Sequence, residues 1–178
     1  MTTDQSADRS ASKATTWVVM GVSGCGKSKI GALLAHRLGV PFIEGDAFHS
    51  AANVAKMSAG VALTDDDRRD WLLTLQGEIA RHAAGGVVLG CSSLKRAYRD
   101  VLRGGAADVR FAHLAGPRAV LAERMSDRPG HYMPVSLLDS QLATLEPLQA
   151  DEAGVTLDIR ETPEQIVTRI IGAMNRGH

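Results

Sequence analysis

The segment MGVSGCGKSKIG, residues 20–31, constrains the fold of this chain more than any other feature. Two glycines, Gly21 and Gly26, stand five positions apart, and Lys27 and Ser28 follow directly. Glycines at this spacing let the backbone curl so that its N–H groups point inward at an anion. An apolar run precedes the loop and a helical pattern follows it, so the segment joins a buried strand to a helix.

The segment has the pattern of a P-loop, whose backbone amides cradle the phosphates of a nucleotide. The helix that begins near Lys27 adds its positive N-terminal end to the site. Lys27 is predicted to reach the β- and γ-phosphates, and the Ser28 hydroxyl to bind Mg²⁺. A chance match in a chain of average composition is on the order of 1%. We therefore predict that the whole loop binds a nucleotide, through Gly21, Val22, Ser23, Gly24, Cys25, Gly26, Lys27 and Ser28.

Outside the loop, short apolar runs alternate with helical patterns. The apolar runs predict five strands, at residues 16–20, 41–45, 86–90, 109–114 and 154–159. The helical patterns follow the glycine loop, fill 50–84 in two pieces broken near Gly60, and recur near 93–103, 117–126, 135–145 and 163–175. This alternation predicts an α/β fold with a five-stranded parallel sheet, helices on both faces, and ligands bound at the carboxyl ends of the strands.

Composition narrows the class of protein. The 20 basic and 20 acidic residues cancel, so no net positive charge indicates nucleic acid as a partner. No apolar run approaches the length of a membrane span. The N-terminus lacks the apolar core of a signal peptide, so we interpret 1–15 as a disordered leader before a single domain at 16–178. Cys25 and Cys91 lie far apart without metal-ligand spacing, which favours a reducing, cytoplasmic location.

A P-loop alone does not define what happens to the phosphate. A small GTPase would carry an Asn-Lys-x-Asp guanine reader, but neither Asn53 nor Asn175 begins that pattern. Larger motor or transporter ATPases need a longer chain. The remaining class is a small kinase with a second pocket, and its alternative is a nucleotide-dependent switch without transfer chemistry.

The second predicted strand ends in EGDAFH, with Glu44 and Asp46 two positions apart. One carboxylate can act on Mg²⁺ and its waters, and the other can accept a hydroxyl proton or orient that hydroxyl for phosphoryl transfer. The alternative is a turn with solvated acids. We expect the end of this strand to lie beside the P-loop strand, which would put Asp46 opposite the γ-phosphate.

Several longer stretches are more specific than the P-loop: EGDAFH, NVAKMSAGVALTDDDRRDWL, CSSLKRAYRDVLR, RPGHYMPVSLLDSQLATLEPL, and DE at 151–152. Together with GVSGCGKS they resemble the gluconokinases, members of the shikimate-kinase-like branch of small P-loop kinases, over residues 17–175. The resemblance implies transfer of phosphate from ATP to D-gluconate, giving 6-phospho-D-gluconate, with Mg²⁺ and commonly as a homodimer. A shikimate or nucleoside-monophosphate kinase is the alternative on the same scaffold.

The resemblance also implies site residues. Arg68 lies where such kinases present a basic residue to the acidic end of the substrate, and a planar guanidinium suits the carboxylate of gluconate. The alternative for Arg68 is pairing with Asp65 to Asp67 at a helix start. The implied catalytic groups are Lys27, Asp46, Arg124 and Arg128. The implied substrate contacts are Asp46, His49, Arg68, Ser92, Lys95, Arg99 and His131, and the implied metal ligands are Ser28 and Glu44.

The third predicted strand is followed by Ser92 rather than by the usual acidic residue. Lys95 and Arg99 then stand four positions apart, which would put them on one helix face. That face could hold a polyhydroxy acid, or it could be a solvated basic stripe.

Two further regions follow from the resemblance: a substrate-binding region at about 46–84 and a lid at about 124–135. In the lid, Arg124 and Arg128 would neutralise charge on the transferred phosphoryl group. His131 would touch substrate or pack within the lid. Arg160 and Pro163 lie where the family packs the adenine.

Overall fold

The computed structural model describes residues 14–126 and 136–175. Five strands form one sheet: β1 (Thr16–Met20), β2 (Phe42–Glu44), β3 (Val87–Gly90), β4 (Val109–Ala115) and β5 (Gly154–Asp158). Seven helices flank them within these residues: α1 (Lys27–Leu38), α2 (Ala51–Ser58), α3 (Asp65–Arg81), α4 (Arg96–Arg103), α5 (Arg118–Ser126), α6 (Ser136–Thr144) and α7 (Pro163–Asn175).

All the strands pair in parallel, in the order β2-β3-β1-β4-β5. The predicted α/β class and five-stranded parallel sheet are therefore confirmed. Each predicted strand is present within two residues of its expected ends. The sequence did not indicate the short 3-10 helix at Gly45–Phe48, which continues directly from β2.

The position of β2 corrects one expectation. We expected its end beside the P-loop strand, but β3 lies between β2 and β1. The reason is the first crossover: α1 packs against β3 as well as against β1 and β2, so it spans the width of one extra strand. The carboxyl end of β2 is consequently two strands away from that of β1.

The core lies on both faces of β1, which is completely buried. Because successive strand side chains point to opposite faces, Trp17 and Val19 pack with α1 and α7, whereas Val18 and Met20 pack with α3 and α4. The P-loop strand is thus held from both sides, which fixes the position of the loop that follows it.

Two further predictions concern membrane-spanning segments and the leader and lid regions. Within residues 14–126 and 136–175, no helix combines the length and apolar character that a membrane crossing needs. Most of the predicted leader and most of the predicted lid, including Arg128 and His131, lie outside the described residues.

Candidate active site

The loop between β1 and α1 has the backbone of an anion cradle. Gly24 and Gly26 take positive φ angles of 84° and 97°, a region that side chains with a Cβ rarely adopt. A Cβ on Gly24 would also lie 2.7 Å from the carbonyl oxygen of Leu121. This position therefore needs glycine both for its dihedral angle and for the close approach of α5.

Lys27, the first residue of α1, folds back over the loop. Its Nζ donates to the carbonyl oxygens of Gly21, at 3.0 Å, and Val22, at 3.2 Å. These acceptors are neutral, so the ammonium group can exchange them for phosphate oxygens, with which it forms stronger charge-assisted bonds.

Ser28 and Glu44 bring together two oxygen groups of the kind that Mg²⁺ prefers. The Ser28 hydroxyl donates to Glu44 Oε2. Glu44 ends β2 and pairs in register with Gly90, the last residue of β3. The carboxylate that the third strand lacks is therefore supplied from its neighbour. No group of three or more His, Cys, Asp or Glu side chains in the described part of the chain could by itself hold a metal.

Asp46 is fixed by the close packing of the 3-10 helix that carries it. A Cβ on the preceding Gly45 would lie 2.3 Å from the carbonyl oxygen of Gly90. The carbonyl of Gly45 also accepts a hydrogen bond of 2.8 Å from Trp71 Nε1. The Asp46 side chain is 32% exposed, so its carboxylate is held in place and remains accessible from the cleft.

His49 lies next to Asp46 at the wall of the cleft. Its Nε2 is 4.0 Å from Asp46 Oδ1, and its ring stacks on the Trp71 indole with 4.0 Å between ring centroids. Burial lowers the pKa of His49 below its usual value, and the Asp46 carboxylate offsets only part of that effect. His49 is therefore neutral at pH 7 and can both donate and accept a hydrogen bond.

Arg68, in the first turn of α3, does not pair with the acidic residues beside it. Its Nη1 donates to the Tyr98 hydroxyl at 2.9 Å, and its guanidinium lies 5.2 Å from the centre of that ring. The neighbouring acids have other partners: Asp65 binds Tyr98 and Lys95, Asp66 binds Arg69, and Asp67 binds Lys56. Among the described residues, Arg68 has no carboxylate within 4.0 Å, which leaves its charge available to a ligand.

These side chains surround one cleft of about 230 Å³. Of the predicted site residues, it is lined by Ser23, Gly24, Gly26, Lys27, Ser28, Glu44, Asp46, His49, Arg68 and Ser92. The structure thus brings the P-loop, both carboxylates and Arg68 to a single concave surface. We call this cleft the acceptor cleft.

A second cleft, of about 370 Å³, opens on the other side of the P-loop, and Gly26 lines both. Pro163 and Arg124 line this second cleft. Arg124 Nη2 donates to the carbonyl oxygen of Ile159 at 2.7 Å, so the structure directs Arg124 away from the acceptor cleft. Arg160 lies in neither cleft: it is exposed and pairs with Asp158 at 2.7 Å.

Lys95 and Arg99 are not brought to the acceptor cleft. Lys95 precedes α4, so the two side chains do not share a helix face, and its Nζ pairs with Asp65 at 3.1 Å. The Arg99 side chain is 0% exposed and forms two hydrogen bonds, of 2.6 and 2.9 Å, with the equally buried Glu152. The sequence left two interpretations of this pair open, a substrate-binding helix face and a solvated basic stripe. Neither applies to Arg99, because its guanidinium is buried in an ion pair with Glu152.

Arg99 instead binds the backbone of the segment that follows β3, next to the acceptor cleft. Its Nη1 donates to the carbonyl oxygen of Ser93 at 2.9 Å, where the backbone takes a positive φ of 50°. The carbonyl of the adjacent Ser92 accepts from the Gly21 N–H at 3.2 Å. The buried ion pair with Glu152 therefore holds the segment after β3 against the first residue of the P-loop.

Replacing Glu152 by glutamine should lower the free energy of unfolding by about 3–5 kcal/mol, because Arg99 would be left as an uncompensated buried charge. Burial by itself would raise the pKa of Glu152, but Arg99 outweighs it and the pKa lies below its usual value. Urea denaturation measures the change. The matched control is Asp151→Asn, which breaks an exposed pair with Arg96 and should cost at most about 1 kcal/mol. Equal losses in both variants would contradict the role given to Glu152.

Sequence reasoning missed four residues that line the acceptor cleft: Met57, Leu63, Trp71 and Gln141. Met57, Leu63 and Trp71 lie in the distinctive stretch around Arg68, and Gln141 lies in the stretch that contains LLDSQLATLEPL. Each looks like an ordinary helix or loop residue in the sequence. Their shared surface arises only when α2, α3 and α6 pack around the end of β2.

Comparison with known proteins gives concordant results. The shikimate kinase family profile matches residues 23–175. The chain is 46% identical to a gluconokinase of Gluconobacter oxydans over 86% of this chain and 88% of that protein.

Two solved structures are similar over nearly the whole domain. A sugar kinase from a Janibacter species is 48% identical with a TM-score of 0.87, covering 92% of this chain and 96% of that one. A gluconokinase from Sinorhizobium meliloti is 45% identical with a TM-score of 0.84, covering 92% and 93%.

Proposed function

Since the chain belongs to the shikimate kinase family and, within it, to the gluconokinases, we infer that it transfers the γ-phosphoryl group of ATP to D-gluconate. The products are 6-phospho-D-gluconate and ADP. The observation that carries this function is the single cleft in which a P-loop faces Asp46 and Arg68. A nucleotide-dependent switch without transfer chemistry would not need polar groups such as Asp46 and Arg68 opposite its P-loop. The relatives are gluconokinases, and they give no support to another small-molecule kinase.

ATP would lie across the P-loop, with its phosphates on the loop amides and Lys27. The second cleft would take the adenine against Pro163, with the Arg124 guanidinium nearby. We therefore place Arg124 at the nucleotide rather than at the transferred phosphoryl group. The proposed lid roles of Arg128 and His131 rest on the resemblance alone.

Ser28 and Glu44 fit a magnesium site, because their oxygen atoms already meet at the end of the phosphate cradle. We propose that Ser28 binds the ion directly and that Glu44 holds its coordinated waters. A bound Mg²⁺ would supply positive charge to the phosphate oxygens. The remaining ligands would be nucleotide oxygens and water.

Asp46 would act on the attacking hydroxyl. The oxygen of the primary alcohol forms a bond to the γ-phosphorus, and the bond from that phosphorus to the oxygen bridging to the β-phosphate breaks. The alcohol proton passes to the Asp46 carboxylate. Because phosphoryl transfer is largely dissociative, the carboxylate mainly fixes the hydroxyl in line and takes its proton late. Neutral His49 and Ser92 line the same cleft and would bind other hydroxyl groups of gluconate.

Arg68 would bind the carboxylate of gluconate, with Tyr98 holding the guanidinium in position. Replacing Arg68 by methionine removes a charge-assisted bond, which is worth about 1.5–3 kcal/mol, so the KM for gluconate should rise roughly 10- to 150-fold. Steady-state kinetics with each substrate varied in turn measures this change, and the KM for ATP should stay nearly constant.

The matched control for that variant is Arg69→Met, because Arg69 is an exposed neighbour paired with Asp66. It should leave both KM values unchanged. A rise in the two KM values by the same factor in Arg68→Met would count against a contact with the substrate carboxylate.

We propose that the enzyme acts as a cytoplasmic homodimer, with residues 46–84 forming the acceptor-binding region of a single domain at 16–178. Support for the location comes from the need for ATP and from Cys25 and Cys91, which are both free. Support for the dimer comes from the resemblance.

ADP release from Mg-ATP with a panel of acceptors tests the function. Gluconate should give the highest kcat/KM, above other aldonates and far above shikimate. Equal rates across the panel, or a preference for shikimate, would contradict the proposal.

A further inference from the structure

Gln141, on α6, reaches across the acceptor cleft to the P-loop. Its side-chain Oε1 accepts a hydrogen bond of 2.7 Å from the backbone N–H of Ser23, although the two residues are 118 positions apart. Gln141 also lines the neighbouring depression, together with Leu63 and Arg68. One side chain therefore touches the phosphate cradle and borders the region proposed for gluconate.

The helix that carries Gln141 is anchored on the acceptor side. Leu137, one turn earlier, is buried in a small cluster with Met57 and Leu63. Residues four apart lie on the same face of a helix, so this packing aims Gln141 at the cleft. The contact with Ser23 is consequently part of a fixed arrangement of α6 over the acceptor cleft.

The position of Ser23 identifies the phosphate that its N–H would meet. Ser23 lines the acceptor cleft with Lys27 and Asp46, whereas Cys25 lines the cleft proposed for adenine. A triphosphate that runs from the second cleft to the first therefore brings its terminal phosphate to the Ser23 end of the loop. ADP, which lacks that phosphate, would end earlier.

We propose that Gln141 recognises the γ-phosphate and makes the P-loop selective for ATP over ADP, an inference that rests on the proposed function. Without nucleotide, the Gln141 oxygen accepts from Ser23 N–H. When ATP binds, a γ-phosphate oxygen takes over that N–H, and the carboxamide turns its NH₂ group to the same phosphate. A neutral carboxamide can do both because it carries an acceptor and two donors.

Charge substitutions at position 141 test this role. Gln141→Glu keeps the size and the acceptor for Ser23 N–H, but it places a negative charge beside the γ-phosphate. Its Kd for Mg-ATP should rise about 10- to 100-fold, since like charges repel strongly at this range. The Kd for Mg-ADP should change by less than about threefold. Isothermal titration of the full chain with each nucleotide gives both values.

The opposite charge should have the opposite effect. Gln141→Lys should lower the ratio of the ATP Kd to the ADP Kd, and this variant alone decides the question if Gln141→Glu does not fold. The matched controls are Ala143→Glu and Ala143→Lys, which add the same charges at an exposed position of α6. Both controls should keep the parent ratio.

These titrations distinguish failure of the role proposed for Gln141 from failure of the proposed kinase function. If Gln141 only held α6 against the loop and the γ-phosphate lay beyond its reach, the two Kd values in Gln141→Glu would stay unchanged or shift equally. Either result would overturn the inference while leaving the kinase assignment intact. A parent protein that bound neither nucleotide would instead overturn the proposed function.

Discussion

Lys27→Ala should reduce kcat for gluconate phosphorylation by about 10³-fold or more, because a P-loop without its lysine loses a positive charge that stabilises the transferred phosphoryl group. The fold should survive, since the partners of the ammonium group all belong to the P-loop itself: the carbonyl oxygens of Gly21 and Val22 and, at 3.9 Å, Cys25 Sγ. The measurement is kcat together with the melting temperature, which should move by no more than about 3 °C.

The matched control for Lys27 is Arg37→Ala, which removes a positive charge from an exposed position in the last turn of the same helix. It should retain the parent kcat. Near-normal turnover in Lys27→Ala at an unchanged melting temperature would mean that the P-loop assignment is wrong.

Asp46→Asn should lower kcat by about 10²–10⁴, the usual range for loss of a general base. The substitution preserves shape and one acceptor oxygen but removes the charge that draws the hydroxyl proton. ATP binding should be retained, because the loop amides and Lys27 would hold the phosphates, whereas Asp46 would act on the acceptor hydroxyl. Pre-steady-state kinetics and nucleotide titration measure the two effects separately.

Glu44→Gln provides the contrast to Asp46→Asn. Glu44 binds the Ser28 hydroxyl, so its loss should weaken the magnesium site and should be partly rescued by raised Mg²⁺. Asp46→Asn should not respond to Mg²⁺. An Asp46→Asn enzyme within about threefold of the parent kcat would move the general base elsewhere, with Glu44 as the next candidate.

The parts of the fold that sequence reasoning predicted well are those with local causes. Glycine positions and the flanking strand and helix define the P-loop over eight consecutive residues. Strand β1 follows from a run of apolar residues and is buried along its whole length, and the other four strands follow from similar runs. The site groups at the ends of β1 and β2 could be named because ligands bind at the carboxyl edge of a parallel sheet.

The parts that sequence reasoning missed depend on partners far along the chain. The order of β2 and β3 depends on how α1 packs across the sheet. Arg99 is buried because Glu152, 53 positions later, neutralises it, and no local pattern indicates that pairing. Gln141 reaches Ser23 across 118 positions. In each case the packing of distant parts of the chain determines the outcome. Residue type and local spacing alone therefore could not predict it.

We propose that ATP phosphorylates the primary hydroxyl of gluconate. Proton-coupled ³¹P NMR of the reaction of purified protein with Mg-ATP and gluconate tests it most directly. We predict one ADP formed per gluconate consumed, and a phosphomonoester triplet, because the carbon that bears a primary hydroxyl carries two protons. ATP loss that gluconate does not stimulate, or a product doublet from a secondary alcohol, would contradict the claim.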